Sequence, residues 1–289
     1  MTIATIDIGG TGIKFASLTP DGKILDKAST ATPETLEELL AWLDQRLSER
    51  DYRGIAMSVP GAVHQETGVI EGISAIPYIH GFSWYEALAH HQLPVHLEND
   101  ANCVGLSELL AHPEIENAAC VVIGTGIGGA MIINGKLHRG RHGLGGEFGY
   151  MTTIEPAEKL NNWSLLASTG NMVRYVIEKS GRSDWDGRKV YQEAAAGNAL
   201  CQEAIERMNR NLAQGLLNIQ YLIDPDVISL GGSISQNPDF IKGVQKAVDT
   251  FVERYEEYTI APVIQACTYQ ADANLYGALV NWLQEENQW

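Results

Sequence analysis

The stretch Ile3–Phe15, IATIDIGGTGIKF, constrains this chain more than any other, because it has a twin at Ala119–Ile132, ACVVIGTGIGGAMI. Each reads as a β-branched strand that enters a glycine turn carrying Thr and leaves into a second strand. The turns are Gly9-Gly10-Thr11 and Gly124-Thr125-Gly126. Both second strands run to a hairpin signal, Asp21-Gly22-Lys23 and Asn134-Gly135-Lys136, of the kind that favours two-residue type I′ turns. Without Cβ atoms, backbone N–H groups can converge on phosphate oxygens, and a Thr hydroxyl adds a donor. A bare hairpin is the alternative for either turn alone. The matched pair, with a third glycine turn at Gly231-Gly232-Ser233, points to a duplicated fold closing on one nucleotide.

Gly124, Gly126 and Gly129 also satisfy GxGxxG, the dinucleotide fingerprint, which requires a helix after its glycines. Here Ala130–Ile133 is apolar and Asn134-Gly135 turns it back as a hairpin, so that reading fails on context. No GxxxxGK[ST] segment occurs, which removes the P-loop class.

With 45% hydrophobic and 19% charged residues, the 289-residue chain can bury sizeable cores, about two domains' worth. The balance of 20 basic against 36 acidic residues, formally −16, opposes nucleic acid and anionic membrane surfaces as partners. It does not oppose a nucleotide, whose phosphates backbone N–H groups and Mg²⁺ can meet locally. No apolar run approaches the roughly 18 residues of a membrane span. No basic flank and apolar h-region precede the first strand. Cys103, Cys120, Cys201 and Cys267 lack CxxC spacing. They read as small buried apolar residues of a reduced, cytoplasmic protein.

Beyond the first cradle, strands are predicted at Phe15–Leu18 and Lys23–Ser29. Thr32-Pro33-Glu34 marks a helix start, with Leu36, Leu39, Leu40, Leu43 and Leu47 on one face. Arg53–Val59 is an apolar strand ending at Pro60-Gly61. The looser stretch Ala62–Phe82 either lines a cleft or makes a surface excursion. A short helix capped by Ser83 and a strand at Val95–Glu98 lead to Glu98-Asn99-Asp100-Ala101-Asn102, with helical spacing from Ala101 to Leu110. After the second cradle comes the glycine-rich run Gly140–Tyr150. Helices follow, including Ala199–Ile223, which Gly215 would interrupt. Next are a strand at Val227–Leu230, a helix at Pro238–Tyr255, a strand at Pro262–Ala266 and a final helix at Asn274–Gln284. Strands and helices alternate throughout, an α/β pattern. The duplication sets a smaller domain at 1–113, joined by the C-terminal helix 274–289, and a larger one at 114–273.

Three carboxylates carry the candidate chemistry. Asp7 lies in an apolar strand beside the first cradle, where a buried charge needs a partner. Mg²⁺, directly or through water, would supply one; hydrogen bonding to the glycine turn is the structural alternative. Asp100 stands at a predicted helix N-cap, at the strand-to-helix junction that open α/β sheets use for binding. It is the candidate base for proton transfer, against a role as cap alone. Asn99 and Asn102 beside it suit sugar hydroxyls. Glu147, among glycines and Phe148, suits two neighbouring hydroxyls; otherwise it is a solvated loop acid. The histidines show no metal spacing.

At Asp7–Thr11, Glu98–Asn102, Gly124–Gly129 and Gly145-Gly146-Glu147-Phe148-Gly149, the chain resembles the ROK family of sugar kinases and repressors, essentially end to end. The resemblance implies the actin-like ATPase (ribonuclease H-like) fold, two α/β domains around a cleft, with ATP and Mg²⁺ as cofactors and a sugar as substrate. It makes Asp100 the catalytic base and Asn99 and Glu147 the hexose ligands, with Gly61 and Tyr150 as further sugar contacts. It gives the nucleotide to Asp7, Gly9, Gly10, Thr11, Lys14, Gly124, Thr125, Gly126, Gly128, Gly231 and Gly232. Homodimers are common in such proteins.

Two departures matter. Tyr150 stands where the family often has His, and Asn161–Ser168 (NNWSLLAS) holds no cysteine in place of a CxCGxxGCxE segment. A structural zinc is therefore not expected. The acid of that segment is replaced near Ser164, which favours a roomier site open to a glucoside or disaccharide. The expected reaction is ATP-dependent phosphorylation of a glucose-type 6-hydroxyl. The alternative is a sugar-binding ROK protein with a regulatory role.

Overall fold

A computed structural model of the chain describes residues 2–153, 161–255 and 257–289. The chain divides into two compact units: Met1–Glu114 with Arg139–Gly145 and Ala271–Trp289, and Ile115–His138 with Gly146–Gln270.

In the first unit, strands β1 (Ile3–Ile8), β2 (Gly12–Leu18), β3 (Ile24–Ala31), β4 (Gly54–Val59) and β7 (Val95–Asn99) form a sheet ordered β3-β2-β1-β4-β7. The first three strands pair antiparallel, whereas β4 and β7 join β1 in parallel. Every residue of β1 and β4 is buried, as expected of strands covered on both faces. One face carries α1 (Leu36–Ser48) through Leu39, Leu43 and Leu47, within a core that includes Phe15 and Trp84. The short hairpin β5 (Ala62–His64) and β6 (Val69–Glu71) and the helix α2 (Trp84–Ala87) lie between β4 and β7 in sequence. The opposite face is covered by α3 (Asp100–Ala111) and α9 (Ala273–Glu285), with Ile3, Leu18, Leu275, Leu279 and Trp282 packed together.

The second unit repeats the scheme. Strands β8 (Ala118–Ile123), β9 (Ile127–Ile133), β10 (Lys136–Leu137), β13 (Val227–Gly231) and β14 (Ile264–Ala266) are ordered β10-β9-β8-β13-β14. Antiparallel and parallel pairings fall in the same places as in the first sheet. A two-stranded ribbon, β11 (Thr152–Thr153) with β12 (Asn161–Asn162), precedes α4 (Trp163–Ala167), α5 (Thr169–Ser180) and α6 (Gly187–Ala195). Then come α7 (Ala199–Ile223) and, after β13, α8 (Pro238–Arg254). Their apolar faces form one core with β8 and β13. No helix among the described residues is long and apolar enough to cross a membrane.

Four expectations are corrected. The first helix begins at Leu36, not at Pro33: Thr35 caps it, accepting from the Glu38 N–H, while the Thr32 hydroxyl donates to the Gly9 carbonyl at 2.6 Å. Asp21-Gly22 does not make a two-residue turn. Thr19 N–H bonds the Lys23 carbonyl and only Gly22 takes positive φ, so the loop is wider. Asn134-Gly135 does adopt the left-handed pair that a type I′ turn requires, at φ 52° and 68°. Gly215 does not interrupt α7; a Cβ there would lie 2.1 Å from the buried ring of Trp163, so glycine admits the indole. The fourth, at Asp100, belongs to the site.

Candidate functional site

In the first unit the site is built at the carboxyl ends of β1, β4 and β7. The first cradle closes through Gly9 N–H to the Gly12 carbonyl at 3.1 Å, with Gly10 against Ala75. Asp7, 6% exposed, is held on three sides. Lys14 Nζ donates to Oδ2 at 3.1 Å, and Asn274 Nδ2 and Ser58 Oγ donate to Oδ1 at 2.8 and 3.4 Å. Its partners are therefore side chains and not the glycine turn. Lys14 Nζ also donates to the Ala271 carbonyl at 2.6 Å.

At the end of β7, Asn99 and not Asp100 caps α3. Asn99 Oδ1 accepts from the Ala101 and Asn102 N–H groups at 2.9 and 3.2 Å, and its Nδ2 donates to the Gly61 carbonyl at 3.1 Å. Gly61 sits at φ 107°, a left-handed conformation that glycine tolerates. The cap is thus one residue earlier than expected, because Asn99 has the extended backbone a cap needs. Asp100 is the first helical residue. Its Oδ1 accepts from the Ala101 N–H at 2.8 Å. Burial pushes its carboxyl above the usual carboxylate range and the Asp7 charge adds to the rise, against the lowering by the Ala101 N–H.

Beneath this lies a residue whose role sequence reasoning left open. Glu98, 2% exposed, accepts from Asn102 Nδ2 and the Asn99 N–H through Oε1, both at 2.8 Å. Its Oε2 accepts from Arg139 Nε at 2.6 Å. Arg139 also donates to Asn281 and Glu285 of α9, so Arg139–Gly145 is tied to the first unit. A cavity of about 450 Å³ starts at Ala62, next to Gly61, and runs between β5 and this loop, with Gln65, Glu71, Arg139 and His142 in its walls.

In the second unit, Gly124 N–H closes the second cradle on the Gly126 carbonyl at 2.9 Å. Gly170, at the start of α5, donates to the Gly124 carbonyl at 3.2 Å. Ser164 Oγ accepts from the Ile127 N–H at 2.9 Å, beside Gly126. Because β13 pairs in parallel with β8, Gly231-Gly232 comes alongside. Gly232, at φ 90°, lies so close to the Ile123 carbonyl that a Cβ would stand 2.1 Å from it. The GGEFG segment lies flat on β9. Gly129 makes room for Phe148, and Gly149 lies over the Ile127 carbonyl. That is the use of the third glycine of the misleading GxGxxG. Glu147 is half-buried ahead of a short 3₁₀ turn, and Tyr150 is 73% exposed.

Next to these turns is a cavity of about 350 Å³ lined by Thr169, Arg188, Tyr191, Ser233 and Asn237. Thr169 Oγ1 and Tyr191 Oη are buried without a hydrogen-bond partner. Burial keeps the Tyr191 phenol protonated well beyond its ordinary range. Sequence reading named Ser233 only as part of the third glycine turn and missed the other four, which carry no motif and meet through the packing of α5, α6 and the segment that follows β13.

Asn161–Ser168 forms β12 and α4, anchored by Trp163, whose Nε1 donates to the Asn211 carbonyl at 2.8 Å. The one His and acid cluster of metal-binding shape among the described residues is Asp44, His90 and His91, which includes none of the residues above.

The sequence profile of the ROK family matches residues 3–285. A β-glucoside kinase of Listeria monocytogenes is 36% identical, covering 100% of this chain and 99% of the relative. A ROK family protein of Streptococcus pneumoniae TIGR4, solved in complex with sucrose, is 88% identical over 100% of both chains, with a TM-score of 0.98. A ROK hexokinase of Thermus thermophilus is 26% identical, covering 99% and 100%, with a TM-score of 0.87. These structural neighbours share the actin-like ATPase fold.

Proposed function

The chain belongs to the ROK family, and from that premise we propose that it transfers the γ-phosphoryl group of ATP to the 6-hydroxyl of a glucose-type ring, free or within a glycoside. The observation that carries this reading is Asp100. It is oriented by the Ala101 N–H, raised in pKa by burial, and flanked by Asn99 with its bond to Gly61. A carboxylate so placed is a competent general base, because raising its pKa increases its affinity for the proton while it stays ionised.

In the proposed step the sugar 6-oxygen attacks the γ-phosphorus and its proton passes to Asp100 Oδ2. The bond from phosphorus to the β,γ-bridging oxygen breaks, and ADP leaves with that electron pair. A loose transition state asks little of the base, so positioning and charge neutralisation supply most of the acceleration. Asn99 and Glu147 would hold ring hydroxyls. The turns at Gly9–Thr11 and Gly124–Gly126, with Gly231-Gly232, would present N–H groups to the phosphates. The orphaned hydroxyls of Thr169 and Tyr191 fit the nucleoside end, since each lacks a partner that a base or ribose could supply.

Both oxygens of Asp7 already accept hydrogen bonds, which suits a hydrated Mg²⁺ bound through water better than direct ligation. When bound, the ion would neutralise phosphate charge.

That the ring can lie within a glycoside is supported by the β-glucoside kinase relatives and by the cavity beside Gly61, which offers room for a second ring. A coupled ADP-release assay with glucose, mannose, N-acetylmannosamine, fructose, cellobiose and sucrose tests it. Turnover should be highest on a glucose-containing sugar. ADP release on none of them would turn the assignment to the regulatory alternative.

A further inference from the structure

We propose that the groove between α7 and α8 is a second ligand site, built for a small ring-bearing phosphate. The cavity holds about 480 Å³ and is lined by Asn209 and Arg210 of α7 and by Lys246, Ala247, Phe251 and Arg254 of α8. None of these belongs to the catalytic machinery described above.

Two independent features make it a built site. Asn209 is only 7% exposed, yet its Oδ1 is buried with no hydrogen-bond partner. An amide oxygen left so carries an uncompensated desolvation cost, which a ligand hydroxyl or N–H would recover. Arg210, Lys246 and Arg254 enter none of the salt bridges among the described residues, although the chain has 36 acidic and only 20 basic side chains to distribute. Glu206 is the single acid in the lining, so the rim carries net positive charge. Phe251 and Ala247 give the floor an apolar surface on which a ring can lie. Cations at the rim, an unmet acceptor inside and an apolar floor together select a phosphorylated ring that also carries a hydroxyl or N–H, over a free ion or a neutral sugar.

4-Hydroxyphenyl phosphate, whose phenolic O–H can donate to Asn209 Oδ1, is the probe. Titrated by calorimetry into the full chain, with sugar and a non-hydrolysable ATP analogue saturating the kinase site, it should bind one equivalent per chain. Inorganic phosphate should bind at least about tenfold more weakly, equivalent to about 1.4 kcal/mol. Lys246→Glu should weaken 4-hydroxyphenyl phosphate about tenfold or more by reversing a charge that makes a charge-assisted bond. Ala247→Phe should abolish binding by filling the groove. Both variants should keep the kinase turnover of the parent, which also shows that they fold. Absence of saturable heat with the parent, or an affinity unchanged in both variants, would overturn the proposal.

Discussion

Asp100 illustrates how one position in a helix decides chemistry. Although the Ala101 N–H, the Asn99 side chain and its own N–H all stabilise the Asp100 charge, burial outweighs them and raises its pKa. Asp100→Asn should reduce kcat by about 10²–10⁴-fold, the usual worth of a general base, with little change in sugar KM. The same variant should not lower Tm at neutral pH. In the window just above the ordinary carboxylate range the native state binds more protons than the unfolded chain, so this group's contribution to stability falls as pH rises through it. Removing the charge relieves that cost. The acid limb of kcat/KM for the parent should accordingly lie above the ordinary Asp value of about 3.9. An acid limb at or below that value would contradict the burial argument. Asn99 is the counter-case: Asn99→Ala strips the cap and the link to Gly61. It should cost about 1 kcal/mol of stability and raise sugar KM, both measurable by thermal melts and steady-state kinetics.

At the scale of elements, the glycines and the buried ion pair hold the site's geometry. Glu98 reaches both Asn99 and Asn102, and Arg139 is its counter-charge. Arg139→Met should destabilise by about 2–4 kcal/mol, since it leaves a nearly buried carboxylate unpaired; the part-exposed guanidinium keeps this toward the low end of buried-pair losses. Denaturant melts measure it. Gly277 of α9 sits so near the Cys103 carbonyl of α3 that a Cβ would overlap it, and Gly277→Val should lower stability by about 1–3 kcal/mol or more through overpacking. Much at this scale was legible in the sequence. Ala199–Ile223 and the hairpin at Asn134-Gly135 follow from periodicity and turn chemistry, which are local. The α1 start and the Asp21 turn were misread because each depends on a bond to a distant or adjoining backbone group. Thr32 is drawn to Gly9, and Thr19 closes on Lys23.

For the whole molecule, the duplicated sheet order is the governing fact, and the C-terminal helix is its least local part. Trp282, Leu275 and Leu279 are fully buried against β1, β2 and α3, whose residues lie at the other end of the chain. A chain ending at Gln270 should therefore fail to form the first unit. It should lose the protection from limited proteolysis that the intact chain has, because that face would stand open to water. A non-hydrolysable ATP analogue should raise the Tm of the intact chain in proportion to RT ln(1 + [L]/Kd), and should do so less for Ser164→Ala, whose hydroxyl supports the Ile127 N–H beside the second cradle. What the sequence alone determined is the repeated strand–glycine turn–strand, the three glycine turns and the acids beside them, since each is a short pattern with one backbone solution. Tertiary structure decided which groups partner those acids, why Gly129 and Gly215 must be glycine, and which residues without a motif line the cavities. Those outcomes depend on side chains brought together from remote segments, and no local pattern records that distance.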